Sequence, residues 1–221
     1  MSEPERLLWE GAQILSIPIT TTQAGQLSVY VEELSRWSKV VDLVSQTDKE
    51  TIVRKHFLDS LAVYSLVPQF GSILDIGSGA GFPGLVLAVV KPTVSFFLLE
   101  PRRKRVNFLK EVIRKTGITN ASVYEGRTED ILKNGKNRGA FDVVVSRATW
   151  NLKRLLPAAA PFLKSGGSLL TMKGPHPHQE IADTAQVLRE KGFVLQKSLP
   201  YALPFGNEKR AALLFTKKSF T

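Results

Sequence analysis

The strongest constraint on the fold is a glycine-dense loop that interrupts an apolar run. Residues 73–76 are apolar except for Asp75, residues 77–84 contain four glycines, and residues 85–90 are apolar again. Glycine adopts positive φ angles and lets a ligand approach the backbone more closely than a Cβ atom would permit. If a strand precedes the loop and a helix follows it, unpaired amide N–H groups at the helix N-terminus suit carboxylate, phosphate or ribose oxygens. The pattern therefore indicates a pocket for a nucleotide cofactor.

The loop is compatible with two kinds of nucleotide. Residues 79–84 match the G-x-G-x-x-G pattern of dinucleotide sites, but Asp75 stands two residues before the first glycine. A carboxylate there would repel a pyrophosphate and favour a cationic ligand such as S-adenosylmethionine. We therefore favour the methyl donor. A NAD-type dinucleotide oxidoreductase and a non-catalytic RNA-binding factor remain as alternatives.

Composition limits the class of protein. The chain has 221 residues, of which 43% are hydrophobic, so it can bury a full core as one domain with an extension. No apolar run approaches the roughly 20 residues that cross a bilayer, and residues 1–6 lack the pattern of a secretory signal. The absence of cysteine excludes disulfides and thiolate metal sites. We expect a cytoplasmic protein, most simply a monomer, with no membrane segment and no metal.

The charge balance points to a polyanionic partner. The chain carries 30 Lys and Arg against 20 Asp and Glu, a net charge of +10. Four of these cations are consecutive, at residues 102–105, after a proline that is well placed to open a helix. Cations at a helix N-terminus oppose the macrodipole, each at a cost of about 0.3–1 kcal/mol, and such a misfit favours a functional explanation. We therefore predict nucleic-acid contacts from Arg102, Arg103 and Lys104. We predict a further contact from Lys173, a cation that follows the fifth strand.

Alternating segments predict an α/β fold with a doubly wound, mostly parallel seven-stranded sheet. Residues 1–68 form an N-terminal helical extension, with helices over 23–39 and from Asp48 to Pro68, and residues 69–221 form a Rossmann-like domain. The last two strands have no helix between them, so we expect an antiparallel pair, as in class I S-adenosylmethionine-dependent methyltransferases. The predicted strands are 72–76, 94–100, 121–125, 141–146, 167–173, 193–198 and 210–216.

Ligands of such sheets bind at the carboxyl ends of the strands. Glu100 ends the second strand 19 residues after Gly81, which is the spacing of a carboxylate that accepts both ribose hydroxyls. The loop after the third strand contains Thr128 and Glu129 and is placed to frame an adenine. Arg147 follows the fourth strand and is placed beside the reactive methyl group.

Five motifs carry a resemblance to a known family. Their order and content are similar to the bacterial small-subunit ribosomal RNA guanine-N7 methyltransferases, the glucose-inhibited division protein B family, over roughly residues 25–215. The glycine loop followed by Phe-Pro-Gly is the most specific of them. The motifs are His56-Phe57-Leu58-Asp59-Ser60-Leu61, residues 75–84, Lys104-Arg105-x-x-Phe108-Leu109, Ser146-Arg147-Ala148 and Met172-Lys173-Gly174.

The resemblance implies S-adenosylmethionine as cofactor and N7 of a guanine in 16S ribosomal RNA as the methyl acceptor, in the small subunit or an assembly intermediate. The chain departs from the family pattern at Ser38, at residues 42–44 and at residues 149–151. The implied cofactor contacts are Gly77, Phe82, Thr128, Glu129 and Arg147, to which the general methyltransferase pattern adds Gly79, Gly81 and Glu100.

The implied reaction needs no general base, because guanine N7 has an exposed lone pair and carries no proton at neutral pH. The protein has to align the acceptor with the methyl group and to balance the charge that moves. Arg147 would position the base or the donor, and Asp59 or Glu129 would offset the new charge. His56 and Asp59 lie three residues apart and form either a functional pair or a structural tie.

Overall fold

A seven-stranded sheet organises the part of the chain that the computed structural model describes, which is residues 1–46, 48–133, 135, 137–147 and 150–218. The strand order is β3-β2-β1-β4-β5-β7-β6, with β1 to β5 parallel and β7 antiparallel to both of its neighbours. The sheet confirms the predicted α/β doubly wound class. The strands are β1 (Gly71–Ile76), β2 (Val94–Glu100), β3 (Ala121–Glu125), β4 (Phe141–Arg147), β5 (Leu163–Lys173), β6 (Phe193–Ala202) and β7 (Lys209–Lys217).

Helices cover both faces of the sheet, as the apolar runs of its central strands require. One hydrophobic cluster joins alternate side chains of the sheet to α1, α2, α5 and α6, and a second joins the opposite side chains to α7, α8 and α10. The helices are α1 (Glu3–Ile14), α2 (Thr21–Trp37), α3 (Lys49–Ile52), α4 (Asp59–Leu61), α5 (Gly84–Val90), α6 (Arg103–Thr116), α7 (Thr128–Lys133), α8 (Leu152–Ala159), α9 (His178–Ala182) and α10 (Ala185–Lys191).

The N-terminal helices pack directly on α5 and α6. A capping box of Thr20 and Gln23 begins α2, two residues before the predicted start of that helix. Gln23 then donates from Nε2 to the carbonyl oxygen of Val89, and Gln26 donates to that of Thr116, at 3.0 and 2.8 Å. These bonds satisfy carbonyl groups at the ends of α5 and α6, so α2 is fixed against the helices that flank the glycine loop.

The predicted helix from Asp48 to Pro68 is not one regular helix. Asp48 caps α3 through the amide of Thr51, and the chain then winds as a π-helix over Val53–Leu58 before it continues into α4. A short 3-10 turn, Tyr64–Leu66, follows. Wide π turns are rare and are found frequently at functional sites. Here the π turn carries His56 towards the sheet.

The strand order places a crevice at the carboxyl ends of β1 and β4. The connections after β1 and β4, two adjacent strands, leave in opposite directions, and ligands bind at such a switch point. The C-terminal hairpin of β6 and β7 continues the sheet beyond β5 with a connection over 203–208. None of the helices in the described part of the chain is long and apolar enough to cross a membrane.

Candidate active site

A cavity of about 820 Å³ lies at the carboxyl ends of β1, β2 and β4. Its volume falls in the range of about 300–1,000 Å³ that is usual for small-molecule sites. Most of the predicted cofactor residues line it, and they lie at or after the carboxyl ends of four strands, β1 to β4. These residues are Gly77, Gly79, Phe82, Glu100, Thr128, Glu129 and Arg147.

The glycine loop and Glu100 form one wall of this cavity. Gly77 and Gly79 have φ angles of 71° and 58°, a left-handed conformation that favours glycine. This turn directs the amide of Gly79 to Oε2 of Glu100, at 2.9 Å, while Oε1 accepts the amide of Arg102, also at 2.9 Å. Glu100 is 3% exposed as a whole residue. Each carboxylate oxygen can accept a second hydrogen bond, so the group fits a ribose diol.

Asp75 does not face the cavity, contrary to the sequence-based argument. The side chain is fully buried, and its Oδ2 accepts the amide of Gly84 at the start of α5, at 2.9 Å. A Cβ atom at residue 84 would lie 2.6 Å from that oxygen, so the glycine of Phe-Pro-Gly makes the contact possible. Burial raises the pKa of Asp75 to about 7, against the opposing effects of Gly84 and Arg147. Asp75 therefore supports the loop from behind.

Tyr30 of α2 closes the loop from the same side. Its hydroxyl donates to the carbonyl oxygen of Ala80, and its ring stacks on Phe82 with centroids 5.9 Å apart. Gly81 has a φ angle of 94° and leaves room for this hydroxyl and for Leu109. Gly81 is absent from the described lining of the cavity, and its contact with the cofactor stays a prediction. Tyr30 was not among the residues predicted for this site.

Arg147 lies at the centre of a hydrogen-bond network beside the loop. Its Nη1 donates to Oδ2 of Asp59 at 3.1 Å and to the carbonyl oxygen of Lys55 at 3.2 Å, and its Nη2 lies 2.9 Å from Nδ1 of His56. The guanidinium also lies 4.8 Å from the ring centroid of Phe82, close enough for a cation–π interaction. The predicted pair of His56 and Asp59 therefore meets the predicted Arg147. Ala148, the next residue of that motif, and Thr149 lie outside the described residues.

His56 is neutral in this arrangement. Burial and the nearby charges of Arg147 and Lys55 lower its pKa from 6.5 to about 3. Its Nδ1 is the acceptor for the guanidinium, so the proton is on Nε2, a buried atom with no hydrogen-bond partner among the described residues. The ring stacks on Phe82 at 5.1 Å and lines the cavity. A neutral ring suits hydrogen bonding and stacking, not general acid catalysis.

Cations surround the mouth of the cavity. Five arginines are part of its lining, at residues 102, 105, 127, 147 and 154. The side chain of Arg154 stacks on Trp150 at 4.3 Å, and both residues line the cavity. Arg103 and Lys104 are exposed beside a smaller groove of about 350 Å³ next to Val40. The residues of the predicted cationic run thus divide between the mouth and the adjacent surface.

The structure also shows what offsets the cations at the start of α6. Oε1 of Glu100 accepts the amide of Arg102, and Asp42 forms ion pairs with Arg102 and Arg105 at 3.6 and 3.2 Å. The helix begins at Arg103, two residues after the proline that was expected to open it. These contacts reduce the predicted electrostatic cost of placing cations at the start of α6. The exposed cationic surface remains.

Lys173 has a structural environment. Its ammonium group donates to Glu180 at 2.8 Å and to the carbonyl oxygen of Trp150 at 3.0 Å, and its side chain is 12% exposed. These contacts hold α9 against the end of β5, and the RNA contact of Lys173 stays a prediction. Among the described residues, no cluster of three or more His, Asp and Glu side chains is arranged to hold a metal ion.

Comparison with known proteins identifies the family. Residues 23–203 match the GidB family, described as rRNA small subunit methyltransferase G. The chain belongs to this family. The curated GidB relative named ribosomal RNA small subunit methyltransferase G from Desulfitobacterium hafniense is 37% identical over 95% of this chain and 87% of its own length. The relative of the same name from Lactococcus lactis is 36% identical over 91% of this chain and 86% of its own length.

Solved structures of other proteins share the fold of this GidB protein. The M. jannaschii protein TYW2 in complex with AdoMet aligns with a TM-score of 0.55 and 13% identity, over 72% of this chain and 73% of its own. A precorrin-6y C5,15-methyltransferase from Geobacter metallireducens aligns with a TM-score of 0.54 and 15% identity, over 80% and 91%. The class I methyltransferase architecture predicted from the strand pattern is therefore confirmed.

Proposed function

We propose that this protein transfers a methyl group from S-adenosylmethionine to N7 of a guanine in 16S ribosomal RNA. The observation that carries the proposal is the cavity at the switch point of a GidB-family chain. Its wall combines the buried Glu100 carboxylate with the amide of Gly79, and its mouth carries arginines. The relatives named above are small-subunit ribosomal RNA methyltransferases.

The cavity residues have separate tasks in this proposal. Glu100 accepts the ribose hydroxyls, and the backbone of Gly77 and Gly79 lets the cofactor approach the loop closely. Phe82 and Arg147 bound the end of the cavity near Asp59, where the transferable methyl group is expected. Thr128 and Glu129 frame the adenine. When bound, the cofactor supplies an electrophilic methyl group on a sulfonium.

The acceptor side of the cavity fits a guanine base. Guanine N7 carries no proton, so the protein has to place the base and needs no general base. Trp150 offers an indole at the mouth, where an unstacked base can lie against it, and Arg102 and Arg154 approach the flanking phosphates. Arg103 and Lys104 extend this cationic surface. The negative backbone of RNA is the partner that such a surface favours.

The proposed enzyme acts on the small ribosomal subunit or on an assembly intermediate, and therefore in the cytoplasm. It acts as a monomer in which residues 69–221 form the methyltransferase domain. Residues 1–68 form the helical extension, which lines the cavity with His56 and supports its wall through the bonds of Tyr30 to Ala80 and of Asp59 to Arg147. Analytical ultracentrifugation of the purified chain measures the oligomeric state directly, and a stable dimer would contradict that part of the proposal.

Calorimetric titration with S-adenosylhomocysteine and with NADH tests the cofactor. We expect binding of the first alone, and Glu100→Gln should weaken it by about tenfold or more, because a neutral amide replaces the charged acceptor of two hydroxyls. Glu125→Gln is the matched control, since Glu125 ends the neighbouring strand and is exposed. Binding of NADH alone would support the oxidoreductase instead.

Mass spectrometry of ribosomal RNA tests the reaction. Small subunits from cells that lack the enzyme are incubated with the purified protein and S-adenosylmethionine. We expect one additional 7-methylguanosine in 16S ribosomal RNA. Cofactor binding without methylation of mature subunits or assembly intermediates would favour the non-catalytic RNA-binding factor.

A further inference from the structure

Asp59 connects the cavity to the C-terminal hairpin. Asp59 is a buried residue, 5% exposed, and each oxygen of its carboxylate has a different partner. Oδ2 accepts the guanidinium of Arg147 at 3.1 Å, and Oδ1 accepts the hydroxyl of Tyr201, on β6, at 2.7 Å. Asp59 and Tyr201 are 142 residues apart in sequence. One carboxylate thus joins a residue at the cavity wall to a strand at the edge of the sheet.

We propose that Asp59 and Tyr201 are positioning residues that fix the Arg147 guanidinium at the cavity wall. The inference rests on the proposed function, in which Arg147 contacts the cofactor. It assigns the C-terminal hairpin a part in forming the cofactor site, although Tyr201 lies outside the described lining of the cavity.

The charge of Asp59 compensates the charge of Arg147. The side chains of Arg147 and Asp59 are 15% and 7% exposed, so neither charge is well solvated. Removing the charge of one partner of a buried pair leaves the other uncompensated. The guanidinium is planar and holds its N–H groups in a fixed fork, so the acceptors around it determine its orientation.

The hydroxyl of Tyr201 fixes the plane of the Asp59 carboxylate. The χ2 torsion of an aspartate has a broad energy profile, so a single partner does not fix the plane of its carboxylate. A second donor on the opposite oxygen does fix it. Burial and the charge of Asp59 raise the pKa of Tyr201, so the phenol keeps its proton and remains a donor. The bond to a charged oxygen is stronger than a neutral one.

A separate contact attaches the same hairpin to the π-helix. Glu208, in the connection between β6 and β7, pairs with Arg54 at 3.3 Å, and Arg54 also donates to the carbonyl oxygen of Phe205 at 3.4 Å. This attachment involves neither Asp59 nor Tyr201. A substitution at Glu208 therefore loosens the hairpin without removing the tyrosine hydroxyl, and it distinguishes the two effects.

Affinity for S-adenosylhomocysteine is the first measurement, made by calorimetry on the full chain. We expect Tyr201→Phe to weaken binding about threefold to tenfold and Asp59→Asn by about tenfold to a hundredfold. Glu208→Gln and Tyr124→Phe are the controls and should change the affinity less than about twofold. Tyr124 is 37% exposed and stacks on Phe97, away from the network.

The order of the Arg147 side chain is the second measurement, made on the protein without ligand. The ¹⁵N–¹H resonance of its Nε is assigned by comparison with Arg147→Lys. We expect a rigid side chain in the unmodified protein and in Glu208→Gln, and a mobile one in Tyr201→Phe. A purely structural role of Tyr201 would lower the unfolding temperature and leave this resonance unchanged.

Two results would overturn the inference. One is a Tyr201→Phe variant that retains both the affinity and the order of Arg147. The other is a Glu208→Gln variant that loses both as strongly as Tyr201→Phe, because attachment of the hairpin would then explain the effect. If the unmodified protein does not bind S-adenosylhomocysteine, the proposed function fails. The ligand-free spectra still decide whether the two residues hold Arg147.

Discussion

Replacing Asp75 by asparagine should change how the stability of the protein depends on pH. The carboxylate is fully buried, and its Oδ1 has no hydrogen-bond partner among the described residues. Burial, the largest effect, raises its pKa from 3.8 to about 7. The folded state therefore binds the Asp75 proton more tightly than the unfolded state does. Asparagine keeps an acceptor for the amide of Gly84 and removes the titration.

The sign follows from proton linkage. Between pH 3.8 and pH 7 the folded protein holds more protons at Asp75, so rising pH lowers the free energy of unfolding. The stabilisation is complete below pH 3.8 and is lost as the pH rises through 7. From pH 5 to pH 8 the loss amounts to roughly 2.6 kcal/mol, at about 1.4 kcal/mol for each pH unit below the folded pKa.

His56 acts in the opposite direction and would hide this effect in the unmodified protein. Its pKa is lowered from 6.5 to about 3, so the unfolded state binds more protons and rising pH stabilises the fold up to about pH 6.5. The difference between Asp75→Asn and the unmodified protein cancels the contribution of His56. That difference is the quantity to measure.

Urea denaturation followed by tryptophan fluorescence at pH 5, 6, 7 and 8 provides the measurement. The free energy of unfolding of Asp75→Asn should rise relative to the unmodified protein by roughly 2.6 kcal/mol, mostly below pH 7. Asp142→Asn is the control. Partial burial raises the pKa of Asp142, but hydrogen bonds from Lys164 and Ser72 outweigh burial and lower the pKa below its ordinary value. The difference in free energy of unfolding between Asp142→Asn and the unmodified protein should therefore be the same from pH 5 to pH 8. A pH-independent difference for Asp75→Asn would refute the reasoning.

Three further variants test the loop and the RNA surface. Gly84→Ala should lower the free energy of unfolding by about 1–3 kcal/mol in urea, because the added Cβ would lie 2.6 Å from a buried carboxylate oxygen; Gly25→Ala, with open space around it, should not. Replacing Arg103 and Lys104 by glutamine should reduce the salt dependence of RNA binding by about one to two phosphate contacts, as filter binding at several salt concentrations reports; an unchanged slope would exclude this surface. Trp150→Leu should raise KM for small subunits about tenfold without changing calorimetric donor affinity, and a loss of donor affinity would place Trp150 elsewhere in the mechanism.

The local sequence pattern predicted most of the sheet and the position of the cavity. The glycine loop, Glu100 and Arg147 each follow a strand-like segment, and the rule for strand ends brings such residues together without knowledge of their contacts. The predicted start of each strand agrees with the structure within one residue except at β5, which begins at Leu163. Residues 164–167, Lys-Ser-Gly-Gly, are polar and glycine-rich enough to resemble a loop.

Contacts between distant segments were not predictable in the same way. Asp75 was expected to face the ligand because it stands beside the loop, but side chains alternate along a strand and Asp75 points away from the cavity. The packing of Tyr30 against Gly81, 51 residues later, was not predicted. Tyr201 lies beyond residue 198, the predicted end of the sixth strand, so neither its position on β6 nor its bond to Asp59 was predictable from spacing.

The strand order has a consequence for synthesis of the chain. β6 is made before β7, but it lies at the edge of the sheet, and β7 separates it from β5. Tyr201 therefore reaches Asp59 in its native position only after β7, which ends at Lys217, has entered the sheet. A nascent chain would contain the glycine loop, Glu100 and Arg147 long before that step. We infer that a chain interrupted late in translation has the residues of the cavity but not its finished wall.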